Sequence, residues 1–338
     1  MKQYFNNSLK DFHTFHTHEK AALITILESK AEAVEFFKKP PAMEKRQIIG
    51  EGSNLLFEKD YDGEIIKYES KGIEIIEEKG NWAWIKVAGG ENWDDFVAWA
   101  GAHGYGGVEN LSYIPGTLGA APVQNIGAYG VELLDVFNSL EAVCIANGEL
   151  RNFYLQEMDF DYRYSIFKGP LKDQYLVLNV VLKLARYPKV KLDYGHLKEE
   201  TYRITTKNIP DIADVRQAVI NIRKSKLPEP DEIGNAGSFF KNPIIELKHF
   251  EKLVRKYPLI ANYPLKDGKI KIAAAWLIEQ CGLRGVSSGD AGTHEKHALI
   301  LINKGNASGR ELKEFSEMIQ NKVYEKFAIQ LEPEVRII

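Results

Sequence analysis

Apolar positions along this chain recur in two rhythms, one near 3.6 residues and one near 2, in separate clusters. The helical rhythm first covers residues 31–37 and leads into residues 46–49, an apolar strand that stops at Gly50. Asn92 caps the next helix, with Asp95 at its third position and Trp93, Phe96, Val97 and Ala100 forming one face before Gly101 and Gly104 end it. Residues 153–184 return to strand-like runs, and residues 187–206 follow as a polar connection without clear periodicity. Pro210 marks a shift in composition. Beyond it Asp211 caps a helix with Ile212, Val215, Val219 and Ile222 on one stripe, which Pro228 ends. Ser308 and Glu311 form a capping box for a helix that buries Leu312, Phe315, Ile319 and Val323. Residues 331–338 close the chain as an apolar, strand-like tail around Glu334. Strand clusters separated by long glycine-bearing connections predict an α+β protein of several lobes rather than one wound sheet.

The 338 residues, 44% hydrophobic, suffice for two or three cores. A net charge of −3 from 44 basic and 47 acidic residues leaves no basic field for nucleic-acid phosphates. Two cysteines, Cys144 and Cys281, cannot make a disulfide framework and fit a reduced compartment. Residues 1–15 lack the apolar stretch of a signal peptide, and no run approaches the roughly 20 residues of a membrane span. A soluble cytoplasmic protein with no membrane partner is expected.

Three segments suggest chemistry. Gly50-Glu51-Gly52-Ser53-Asn54 follows a strand and precedes Leu55-Leu56-Phe57. Such a turn can aim backbone N–H groups at a pyrophosphate, and it reads equally as a plain hairpin. It is not a Rossmann fingerprint, because Leu55 stands at the third-glycine position. Residues 115–130, Pro115-Gly116-Thr117-Leu118-Gly119-Ala120-Ala121-Pro122-Val123-Gln124-Asn125-Ile126-Gly127-Ala128-Tyr129-Gly130, let a backbone lie against a flat ligand, or form a small-residue packing crossover. Residues 234–243 place Ser238 between a glycine turn and two phenylalanines, without the Gly-x-Ser-x-Gly elbow of a hydrolase. Arg163 and Glu334 are polar groups in apolar company, open to reading as structural ion pairs. His294 and His297 are one residue short of zincin spacing, so no metal site is expected. Trp82 and Trp84 alternate like one face of a strand and read as packing.

These segments, with Tyr162-Arg163, Ser165-Ile166-Phe167-Lys168, Lys226-Leu227-Pro228 and Leu331-Glu332-Pro333-Glu334-Val335-Arg336, closely resemble the UDP-N-acetylenolpyruvoylglucosamine reductases, in the version with an extra tyrosine-bearing loop. The resemblance spans essentially the whole chain. It implies an FAD-binding domain of the vanillyl-alcohol-oxidase type over residues 1–207, in two lobes with the tail 325–338 packing back, and a smaller substrate-binding domain over 208–324. It implies noncovalent FAD held by Gly50, Glu51, Gly52, Ser53, Asn54, Leu55, Pro115, Gly116, Thr117, Gly119, Ala120, Gln124, Asn125, Gly127 and Ala128. NADPH and a UDP-sugar would be its small-molecule partners, and a monomer is expected. Arg163 and Glu334 would lie at the substrate carboxylate and Ser238 would donate a proton; Tyr162, Tyr194, Lys226, Asn242, Tyr263 and Gln280 would bind or support the UDP-sugar. Reduction of an enolpyruvyl ether develops negative charge beside a carboxylate, which suits a cation, a carboxyl group and a close hydroxyl donor. Tyr164 departs from the family, where an acidic residue is expected after the arginine. A sugar or alcohol oxidase on the same scaffold is the rival reading; many such enzymes bind flavin through a histidine in the first glycine loop, and residues 50–57 contain none. A non-catalytic nucleotide-sugar-binding protein is a further alternative, but it would not need the arginine, serine and glutamate together.

Overall fold

Helix starts in this chain are written in short polar side chains. Ser29 accepts the Glu32 N–H at the start of α1 (Lys30–Lys38), and Asn92 accepts the Asp95 N–H at the start of α2 (Trp93–Ala102). Each cap satisfies one of the first-turn donors that a helix cannot pair internally. The computed structural model describes all 338 residues and forms two compact units. The first comprises Met1–Asn7, Ala21–Glu51 and Asp62–Ser225.

In the first unit a parallel pair, Arg46–Ile49 with Tyr61–Tyr68, lies in a four-stranded sheet, and α1 buries Phe37 with Leu27, Ile66, Tyr68 and Leu178. A five-stranded antiparallel sheet runs in the order Leu150–Tyr154, Phe137–Cys144, Tyr175–Ala185, Trp82–Ala88, Ile73–Lys79. On it α2 packs Trp93, Phe96, Val97 and Ala100 against Ile85, Val87, Val180 and Leu182, the face its spacing requires. The Lys183 Nζ sits 4.6 and 5.3 Å from the ring centroids of Trp82 and Trp84, so both tryptophans carry a lysine stem on the sheet surface.

Residues 187–206 are not wholly irregular: they contain α3 (Leu197–Ile204). Its inner face is Leu197, Thr201 and Ile204, and the Thr201 hydroxyl returns to the Leu197 carbonyl at 2.7 Å. A threonine thus carries the helical period, which hides it from an apolar count. Helix α4 (Ile212–Lys226) is capped by Asp211, whose Oδ1 accepts from Ala213 and Asp214, and packs Val215, Ala218 and Val219 with Leu197. That packing puts the break between the units at 225/226, at the end of α4, instead of at 207/208.

The second unit takes Ser8–Lys20, Gly52–Tyr61 and Lys226–Ile338. Its four-stranded sheet runs Gly234–Ser238, Ile300–Asn303, Ala291–Thr293, Ser287–Ser288, and a three-stranded sheet runs Ile244–Ile245, Ile270–Ile272, Asn262–Pro264. The core joins α5 (Leu247–Lys256), α6 (Ala274–Gln280) and α7 (Gly309–Phe327) through Leu253, Leu277, Phe315, Ile319 and Val323, together with Phe15 and Leu56 from the N-terminal half of the chain. Ser308 and Glu311 close the capping box of α7. The tail belongs to this unit: Arg336–Ile337 pairs in parallel with Leu55–Leu56, while Leu331 and Val335 enter the core. Residues 50–54 are therefore no hairpin, since Arg46–Ile49 and Leu55–Leu56 pair with different partners. No helix is long and apolar enough to cross a membrane.

Candidate functional site

In the first unit the two glycine segments lean on each other. A Cβ on Gly50 would lie 2.7 Å from the Thr117 hydroxyl, which would have to shift, and one on Gly119 would lie 3.0 Å from the Gly89 carbonyl, a tight contact. The Glu51 carboxylate turns inward, taking the Gly116 N–H and the Asn92 amide, both at 2.9 Å. Asn92 thus caps α2 with its oxygen and clamps Glu51 with its nitrogen. The N–H groups of Gly50, Glu51 and Thr117 take no acceptor in the chain. Main-chain donors left free beside glycines suit the diphosphate of a dinucleotide cofactor. Pro115 and Gly116 lead into this floor, Ala120 begins the turn Ala121–Gln124, and Gly127–Ala128 pairs with Val131–Glu132.

Three hydrogen bonds lace this loop to the segment carrying Arg163. The Arg163 Nη2 donates to the Gly127 carbonyl at 2.7 Å and the Ser165 hydroxyl to the Val123 carbonyl at 2.6 Å. Asn125 donates to Glu132 and to the Asp161 carbonyl, and accepts from Leu134, so its amide is used within the protein. Asp161 and Tyr164 pair their backbones, which leaves Tyr162 and Arg163 at the tip of a tight turn. The Tyr164 hydroxyl packs on Gly169. Tyr194 meets Tyr129 edge to face at 6.1 Å, and Asn110 ties the Tyr129 carbonyl to that of Lys191. Burial, the larger effect, raises the Tyr129 hydroxyl above the ordinary tyrosine range, and the nearby Arg223 opposes it. Arg223 is a residue that sequence reasoning missed.

In the second unit Ser238, exposed, ends its strand after Gly237, whose φ of 66° needs no side chain. The Phe239 carbonyl next to it accepts the Glu334 N–H at 2.8 Å, and the Glu334 carbonyl accepts the Asn54 amide at 3.1 Å. Backbone pairing, with the Asn54 side-chain amide added, therefore brings Ser238, Glu334 and the Gly52-Ser53-Asn54-Leu55 stretch together. Asn242 accepts the Ala274 N–H at the start of α6. Gln280 lies at the other end of that helix, where its carbonyl takes Lys326, so nothing joins it to Ser238. Tyr263 pairs across its sheet with Lys271. Burial lowers His297 below the ordinary imidazole range, with Lys226 adding to the effect. Its Nδ1 accepts the Leu299 N–H, a structural use, and no group of three or more His, Cys, Asp or Glu side chains is set to hold a metal.

A glycine floor with free main-chain donors, set in an α+β unit beside a half-buried arginine turn, is what a dinucleotide-cofactor protein needs, and residues 22–154 match the family described as an FAD binding domain. Residues 229–338 match the family described as UDP-N-acetylenolpyruvoylglucosamine reductase, C-terminal domain. Reductases of that name from Flavobacterium johnsoniae and Amoebophilus asiaticus are 44% and 42% identical, each over 98% of this chain and 98% of their own length. The solved UDP-N-acetylenolpyruvylglucosamine reductase of Thermus caldophilus shares the fold, with a TM-score of 0.67 at 24% identity over 99% of this chain and 98% of its own. The chain belongs to the UDP-N-acetylenolpyruvoylglucosamine reductase family, whose members are flavin-dependent oxidoreductases.

Proposed function

We propose that the chain reduces UDP-N-acetylglucosamine enolpyruvate to UDP-N-acetylmuramate with NADPH and noncovalent FAD, in the peptidoglycan precursor synthesis that supports cell shape and division. Full-length similarity to reductases of this name, with Arg163, Ser238 and Glu334 all present, carries the reading. The free thiols Cys144 and Cys281 fit the reducing cytoplasm, and a monomer is the proposed state.

FAD, held by the glycine segments around residues 50–55 and 115–128, would supply hydride-transfer chemistry for the enolpyruvyl group. The protein's task is to hold the acceptor and manage charge. Arg163, fixed through the Gly127 carbonyl, makes charge-assisted bonds to the substrate carboxylate. Glu334, held through the Phe239 carbonyl, shares the negative charge that develops there. Ser238 Oγ gives its proton to the carbon bearing that charge, and solvent restores it. Tyr194 covers the UDP-sugar while Lys226, Asn242 and Tyr263 face its nucleotide; Gln280 acts, in this reading, only as support.

An anaerobic titration tests this. NADPH should bleach the flavin band, and the enolpyruvyl UDP-sugar should restore it stoichiometrically. A flavin that NADPH leaves oxidised while a sugar or alcohol bleaches it would establish the oxidase reading instead.

A further inference from the structure

Arg223 stands one helical turn beyond Val219 on α4, outside the segments read for chemistry, yet it is held in a defined pose. Its Nε donates to the Tyr113 carbonyl at 2.9 Å, and the two Nη nitrogens, the forked end, have no acceptor in the chain. Tyr113, Tyr129, Asp94 and a second guanidinium, Arg163, surround it. Asp94 is the one carboxylate among them and is already engaged: its oxygens take Arg216 at 2.6 and 2.9 Å, and Oδ1 also accepts the Tyr113 N–H. Arg223 and Arg163 therefore stand near each other with no carboxylate given to Arg223. Desolvation first, and Arg163 as well, lower the Arg223 guanidinium below the ordinary arginine range, opposed by Tyr129, Asp94 and Tyr113. Like charges gathered in a poorly solvated place are costly unless an anion joins them.

We infer that Arg223 is a diphosphate-binding residue, its Nη fork taking phosphate oxygens of the nucleotide substrate beside Arg163. The planar fork matches phosphate geometry, and the Nε bond to Tyr113 orients it before any ligand arrives. The neighbouring Tyr129 contacts Tyr194, the residue read as closing over a UDP-sugar. The inference rests on the proposed function for its ligand. A diphosphate is common to the UDP-sugar and to NADPH, so the shared chemistry has two sources.

Calorimetry on the FAD-loaded protein separates them, with UDP, uridine and NADP⁺ as probes. Arg223→Gln should weaken UDP, NADP⁺ or both by roughly 10- to 100-fold, as expected for loss of charge-assisted bonds, and leave uridine unchanged. Loss confined to UDP assigns the fork to the sugar nucleotide; loss confined to NADP⁺ assigns it to the dinucleotide. Arg223→Lys, which keeps the charge without the fork, should fall between, and it carries the test with the same expectations if Arg223→Gln fails to retain FAD. Unchanged affinity for both diphosphates overturns the inference, as does uridine weakening in step with them. An unmodified protein that binds neither UDP nor NADP⁺ defeats the proposed function and this inference with it. One that binds them equally well without Arg223 defeats the inference alone.

Discussion

Tyr113, Asn125, Tyr129 and Arg163 all adopt positive φ, between 44° and 61°, a region that costs a non-glycine residue on the order of 1–3 kcal/mol. Such strain persists only where surrounding bonds over-determine it, as the three hydrogen bonds of the Asn125 amide and the Arg163 bond to Gly127 do here. The side chains on these turns are thereby held in fixed directions by the fold. Ser238 is the opposite case: an exposed hydroxyl beside an open glycine, with room for a reacting carbon. Ser238→Ala should leave flavin bleaching by NADPH intact and slow reoxidation by substrate at least roughly 10²-fold, as loss of one transition-state hydrogen-bond partner does. Stopped-flow measurement of each half-reaction decides it, and equal slowing of both would falsify the proton-donor role. Arg163, Ser238 and Glu334 were noticeable in the sequence as polar residues among apolar or small ones, and the roles proposed for them rest on the resemblance. Arg223 was not, since a charged residue on the last turn of an amphipathic helix is what a solvated face also contains. Asn92 was read only as a cap, and its second bond to Glu51 depends on tertiary contact that no spacing reveals.

Elements with strong local signals were the legible ones: the caps at Asn92, Asp211 and Ser308 act where the sequence places them, whereas α3, with threonine in its stripe, and the pairing of Leu55–Leu56 with the tail were hidden. A strand's partner about 280 residues away in sequence leaves no local trace. The segment beneath the first glycine turn was also silent. There a Cβ on Gly52 would overlap the Phe12 carbonyl and His13, and His13, 2% exposed, meets Phe57 edge to face at 5.4 Å. Burial lowers the His13 imidazole from 6.5 to about 4. The neutral form is thus the folded form: this contribution is complete above pH 6.5 and is lost as pH falls toward 4, by which point the loss is on the order of 3 kcal/mol. Urea midpoints measured from pH 7 to 4.5 should fall more steeply for the unmodified chain than for His13→Asn. Parallel curves would assign the acid sensitivity to another group.

At the scale of the whole molecule, the chain leaves one unit at Glu51 and enters the other at Gly52, within the first glycine loop. With no histidine in residues 50–57 to bond the flavin, acid precipitation should release FAD into the supernatant. Returning FAD to stripped protein at about 100 times its Kd should raise stability by about 2.7 kcal/mol and lift Tm accordingly. Flavin that stays with the denatured pellet would sink the noncovalent assignment. The chain passes between the units five times, so neither core is a contiguous stretch of sequence. A fragment starting at Lys226 would lack Phe15 and Leu56, both fully buried in the second core, although residues 229–338 match a family description by themselves. Anyone building a chimera with a relative must therefore exchange three separate stretches, Ser8–Lys20, Gly52–Tyr61 and Lys226–Ile338, to transplant one intact core.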